Sequence, residues 1–175
     1  GPGTESRIAL GYMDTSTDWV DDPAIFEALV QHLTTPCTPD YQACGFRKAN
    51  RAAGMQVLVR ERVAPSGEIT PVVPTLTHSA LSPSHRQNLR SAEAQAASSR
   101  QSAANFLEGM KTASAVFYIG HARAGGGPDF NRPHKDGEGH VNYAWYQAKT
   151  PGLLAMERAL AERGPRLDGW SIAGC

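Results

Sequence analysis

Ala115-Val116-Phe117-Tyr118-Ile119-Gly120-His121 and Leu167-Asp168-Gly169-Trp170-Ser171-Ile172-Ala173-Gly174-Cys175 are two short, mainly apolar runs that end in a histidine and a cysteine. Each reads as a buried strand, being short and mainly apolar. A helix-like stretch lies between them, which predicts two neighbouring parallel strands in one sheet. Such strands would deliver an imidazole and a thiol to the same edge.

Outward from this pair, residues 8–13 (Ile-Ala-Leu-Gly-Tyr-Met) read as a first strand that stops at Asp14-Thr15-Ser16-Thr17. Asp21-Asp22-Pro23 supplies an N-cap and a first-turn proline, and Ile25, Phe26, Leu29, Val30 and Leu33 then recur at helical spacing until Pro36. Residues 55–63 are β-rich, Pro65-Ser66-Gly67 turns the chain, and residues 69–76 resume in extended residues that include Pro71 and Pro74. A hairpin follows, with its second strand expected at a sheet edge because proline cannot donate to a ladder. Residues 85–111 read as one long helix, or two broken near Ser98-Ser99, with Leu89, Ala92, Ala96, Ala103, Phe106, Leu107 and Met110 on one stripe. The glycine-rich stretch from 125 to about 139 is a loop by composition. Pro151 opens a helix carrying Leu153, Leu154, Met156 and Leu160 that ends at Gly164-Pro165. The order strand, helix, hairpin, helix, strand, helix, strand implies a three-layer α/β fold: a mostly parallel central sheet with helices on both faces and an added hairpin.

The 175 residues suit a single domain over 1–175, with residues 1–6 as a tag or linker stretch, since Gly1-Pro2-Gly3 resembles a tag scar. A composition 41% apolar and 19% charged is that of an ordinary globule, and 17 basic against 17 acidic residues give no reason to expect nucleic acid as partner. No apolar run is long enough to span a bilayer. Cys37 and Cys44 flank a proline-marked loop. A disulfide there suits a secreted or periplasmic protein, and two free buried thiols suit the cytosol. Cys175 is left over, as a reactive thiol requires.

The segments Phe117-Tyr118-Ile119-Gly120-His121 and Ser171-Ile172-Ala173-Gly174-Cys175 resemble the catalytic strands of clan CD cysteine peptidases, the caspase-like group, in its bacterial form. In that family an apolar strand ends at the catalytic His and a later one ends in a small residue and the catalytic Cys. The separation is close to the roughly 50 residues noted for caspases. Two departures stand out: Ala122 follows the His where the family usually has Gly, and Ile172-Ala173-Gly174-Cys175 replaces the Gln-Ala-Cys form. The caspase preference for Asp is therefore not carried over.

The resemblance implies a cysteine endopeptidase, self-processing and without cofactor or metal, with Cys175 as nucleophile and His121 managing protons. Ala122 would offer an oxyanion N–H, while Arg123, Gly125, Gly126 and Asp129 would meet a protein or peptide substrate. It also implies a C-terminal portion or separate chain that completes the fold. The alternative is a catalytically inactive caspase-like module that binds a peptide or glycan. A third reading gathers His121, His134 and His140 on a metal, and the aromatics Tyr143, Trp145 and Tyr146 either line a groove or cover the core.

Overall fold

The computed structural model describes residues 3–16, 20–41, 43–163 and 169–174. They form β1 (Thr4–Leu10), α1 (Asp22–Thr34), β2 (Arg47–Ala52), β3 (Met55–Val63), β4 (Ile69–His78), α2 (His85–Arg90), α3 (Ala92–Thr112), β5 (Ala115–Gly120), α4 (Tyr143–Lys149), α5 (Pro151–Ala161) and β6 (Gly169–Gly174). The chain is α/β, and one six-stranded sheet has the order β2-β3-β4-β1-β5-β6. The sheet is mixed, whereas a mostly parallel one was expected. β4, β1, β5 and β6 run parallel, and the β2–β3 and β3–β4 pairs are antiparallel.

Alternation along β1 sets the layers. Ala9 enters a cluster with Phe106 and Met110 of α3, Val116 and Tyr118 of β5, and Met156 and Ala159 of α5. Ile8 and Leu10 face the other way, onto Phe26 and Val30 of α1 with Leu58 and Leu76. Helices thus cover both faces, as a strand buried on both sides demands. α1 begins where Asp21 caps the Ala24 N–H at 2.8 Å, and beyond its end a Cys37–Cys44 disulfide closes the connection to β2.

The inward stripe of α3 departs from the sequence expectation. Its buried residues include Gln95, Ser98, Ser99, Ser102 and Asn105, while Ala96, Ala103 and Leu107 are only half-buried. These polar groups grip the ends of two strands: Ser102 Oγ donates to the Leu10 carbonyl at 3.0 Å, Ser98 Oγ to that of His78 at 3.2 Å, and Gln95 Nε2 to that of Ser79 at 2.8 Å. Each hydrogen bond satisfies a group that would otherwise be buried at a cost. The helix break also falls at Ser91 rather than at Ser98-Ser99, because Ser98 and Ser99 are held by β4 and by Gln95.

Four further expectations change. β1 starts at Thr4, so residues 4–6 are strand instead of linker, and it ends at Leu10, three residues early. β4 is interior, although Pro71 and Pro74 suggested an edge; the edge on the hairpin side is β2, which sequence patterning missed because all six of its residues are exposed. The prolines fit because the β3–β4 ladder is interrupted opposite Val73 and Pro74, and Pro71 lies beyond the first β1–β4 pair, Thr4 with Val72. α4 lies in a stretch that the sequence assigned to no element, and α5 ends at Ala161, before Gly164-Pro165, which lie outside the described residues.

Asp22, the first residue of α1, is fully buried and ties that helix to the end of β4. Its Oδ2 accepts the N–H groups of Ser79 (2.7 Å) and Ala80 (2.6 Å), while Oδ1 has no partner. Burial pushes this carboxyl up to about 8 despite the two N–H donors. The folded state therefore holds a proton that the unfolded chain releases near pH 4, so this group's contribution to stability falls as pH rises from 4 to 8. Asp22→Asn should flatten that slope. Urea unfolding of both proteins across this range checks it, and parallel curves would remove Asp22 as the source.

Candidate active site

β1, β4, β5 and β6 share one direction, so their carboxyl ends form a single rim. β1 feeds α1 on one face and β5 feeds α4 and α5 toward the other. Their junction is thus a topological switch point, where open α/β sheets bind ligands. The tails are stitched together: Gly11 N–H donates to the Ile119 carbonyl at 2.8 Å and Tyr12 N–H to that of Asp129 at 3.0 Å. Glycine is required at both crossing points, since a Cβ on Gly120 would lie 2.6 Å from the Tyr118 hydroxyl and 2.8 Å from Gly11 Cα, and one on Gly11 would also strike that hydroxyl.

β5 and β6 pair in parallel from Ala115 with Gly169 to Gly120 with Gly174. His121 and Cys175 are the next residues of their respective strands. Cys175 lies outside the described residues. The His121 carbonyl accepts from Tyr118 Oη at 2.8 Å and from the Asp129 N–H at 3.2 Å. Beyond Ala122, Arg123 (φ 27°) and Ala124 (φ 53°) both enter the left-handed region. Such backbone costs about 1–3 kcal/mol per residue and persists only where the surroundings enforce it.

The surroundings here are a buried polar knot. Arg123 Nε meets Asp129 Oδ2 at 2.7 Å with both side chains enclosed, Tyr146 Oη donates to the same oxygen at 2.9 Å, and the Asn131 N–H reaches Asp129 Oδ1 at 3.0 Å. Burial pushes the Tyr146 phenol up to about 12, so it stays a donor. Arg123 and Asp129, expected as substrate contacts, bind each other. Of the glycine loop, Gly126 accepts the Gly152 and Leu153 N–H groups at 2.8 and 3.2 Å, and Gly127 (φ 84°) packs on Gly152 too closely for a Cβ. Gly125 (φ 82°) has open space around it.

The remaining histidines of the metal reading do not converge. His134 stacks on Trp145 with centroids 4.5 Å apart, and exposed His140 lies 3.9 Å from Asp136 and 3.6 Å from Glu138. Among the described residues no group of three His, Cys, Asp or Glu side chains is placed to hold a metal. Tyr146 is buried cover, Trp145 half-buried and Tyr143 exposed.

Sequence reasoning missed a second charged cluster on the rim. Asp14, buried after β1, accepts from Tyr12 Oη at 2.6 Å, from the Ser16 N–H at 3.0 Å and from Ser16 Oγ, and pairs with His85 Nδ1 at 2.9 Å. Asn88 Nδ2 donates to Tyr12 Oη at 3.2 Å. Desolvation raises the Asp14 carboxyl, but the bonds from Ser16, Tyr12 and His85 together outweigh it and hold the group at about 2. The Asp14-Thr15-Ser16 turn was visible as a sequence signal; His85, 71 positions away, was not. Comparison with family models, with curated proteins and with solved structures returns no match.

The Tyr118 hydroxyl also accepts the Asp129 N–H at 2.9 Å, and burial pushes its phenol well above the usual range, so it remains protonated. Tyr118→Phe would strip partners from the His121 carbonyl and the Asp129 N–H, costing about 1–3 kcal/mol. A urea midpoint equal to wild type would show that this hydroxyl does not hold the turn.

Proposed function

We propose that this chain is a cysteine endopeptidase of the caspase-like kind, with His121 and Cys175 as its dyad. The observation that carries the reading is the β5–β6 register: Gly120 and Gly174, the residues that precede His121 and Cys175 in sequence, are aligned partners at one end of the parallel pair. The order β4-β1-β5-β6 puts that end beside the switch point between β1 and β5, and the strained turn after Ala122 is of the kind that collects at functional sites.

In this reading the Cys175 thiolate attacks the scissile carbonyl carbon, and the developing oxyanion is held by backbone N–H groups, Ala122's among them, each such donor being worth about 3 kcal/mol. The C–N bond then breaks as the His121 imidazolium gives its proton to the departing amine, leaving a thioester. Water, deprotonated by His121, hydrolyses that thioester and restores the thiol. The buried Arg123–Asp129–Tyr146 knot holds the segment that carries these groups. The Cys37–Cys44 disulfide suits an oxidising compartment, which favours a secreted or periplasmic setting; no helix among the described residues is long and apolar enough to cross a membrane.

Alkylation tests the dyad directly, because the other two cysteines are bonded to each other and silent without reductant. At pH 6.5, iodoacetamide should modify Cys175 at least about tenfold faster than an unperturbed thiol, and His121→Ala should abolish the excess. Slow labelling that ignores His121→Ala would overturn the peptidase reading in favour of a binding module.

A further inference from the structure

A cavity of about 360 Å³ lies on the α3 face, between α3, α4, the start of α5 and the loop after β5. Its inner wall is apolar, built from Ala103, Phe106 and Leu107 of α3 and Ala155 of α5; its polar side carries Arg132, His134 and Trp145. That volume is in the range of small-molecule sites, and the mix of an apolar wall with a few polar groups is what such sites use.

Arg132 is the unusual member. Among the described residues three arginines have a buried Nε without a hydrogen-bond partner: Arg7, Arg132 and Arg163. Arg7 compensates through Asn105 and Glu5, and Arg163 through the carbonyls of Met110 and Ala113. Arg132 lines the cavity and has neither a hydrogen bond nor an ion pair to any described residue. The carboxylate among the lining residues, Asp129, is already committed to Arg123 at 2.7 Å and to Tyr146 Oη at 2.9 Å. The unmatched charge of the wall is therefore positive. Beside it, the rings of His134 and Trp145 stack nearly parallel, 7° apart, and a flat group can add to such a stack.

We propose that this cavity binds a small organic monocarboxylate, its flat apolar body lodged against α3 and α5 and its carboxylate paired with Arg132. A carboxylate matches the guanidinium fork, and binding it would satisfy the enclosed Nε–H. His121 is not among the residues that line this cavity, and the proposal does not depend on the peptidase reading.

The probes are 3-phenylpropionate, its uncharged amide and acetate, titrated by calorimetry into Cys175→Ala protein so that no turnover intrudes. The acid should bind with a submillimolar Kd. The amide, which lacks the charge, and acetate, which lacks the body, should each bind at least about tenfold more weakly. Arg132→Gln should lose at least tenfold for the acid while leaving the thermal midpoint unchanged, since Arg132 holds nothing in the fold; Ala155→Phe should block the cavity. An amide that binds as tightly as the acid, an Arg132→Gln protein with wild-type affinity, or no binding of the acid at 5 mM would each overturn the proposal. Should Ala155→Phe fail to fold, the acid–amide comparison and Arg132→Gln still decide.

Discussion

One hydroxyl fixes the geometry on which the candidate site rests. Tyr118 points from β5 into the α3 face, packs edge-on against Phe106 and Phe130, and carries its Oη to the sheet rim, where it joins the His121 carbonyl to the Asp129 backbone. Room for that hydroxyl exists because residues 11 and 120 have no side chain. The loop after β5 is thereby folded back across the end of β1, and the peptide next to His121 has its carbonyl oriented from two sides. A buried phenol surrounded by backbone partners does this rigidly, because any displacement leaves main-chain groups unpaired in a place water does not reach.

The same economy recurs along α3. A helix that lies over a sheet usually buries an apolar stripe, yet the middle of this one presents serine, glutamine and asparagine to the strand ends below. Those strand ends carry carbonyls whose ladders have run out, and short polar side chains reach them without opening voids. Apolar packing is kept for the C-terminal half, where Phe106 and Met110 meet β5 and α5. Hydrogen bonding thus sets where the helix sits along the sheet, and hydrophobic burial holds it there.

Two histidines on the rim are held in different ways. His121 is positioned through its backbone, at the end of a strand whose neighbour ends one residue before Cys175. His85 is positioned through its ring, by a buried carboxylate that remains ionised across the neutral range. The Asp14 contact fixes one ring nitrogen of His85 and anchors the first loop to α2, a structural tie independent of the β5–β6 seam.

Much of the architecture was legible along the chain: β3 and β5 with their limits, the proline-capped α1 and α5, and the glycine loop all carry strong local signals. Less legible were β2, exposed throughout and so without alternation, and the interior place of β4, whose prolines argued for an edge until the ladder break was seen. The cysteine loop was legible as a loop, while its closure as a disulfide was left open. Residue types alone marked His121 and Cys175 as a pair worth joining and supplied an α/β order of elements. Tertiary structure alone decided which strands are neighbours, that Arg123 turns to Asp129, that Asp14 finds His85, and that Arg132 comes to line a cavity. The reason is range: capping, turns and periodicity are set by neighbours a few residues apart, whereas strand order and buried ion pairs depend on groups brought together only after the chain has closed on itself.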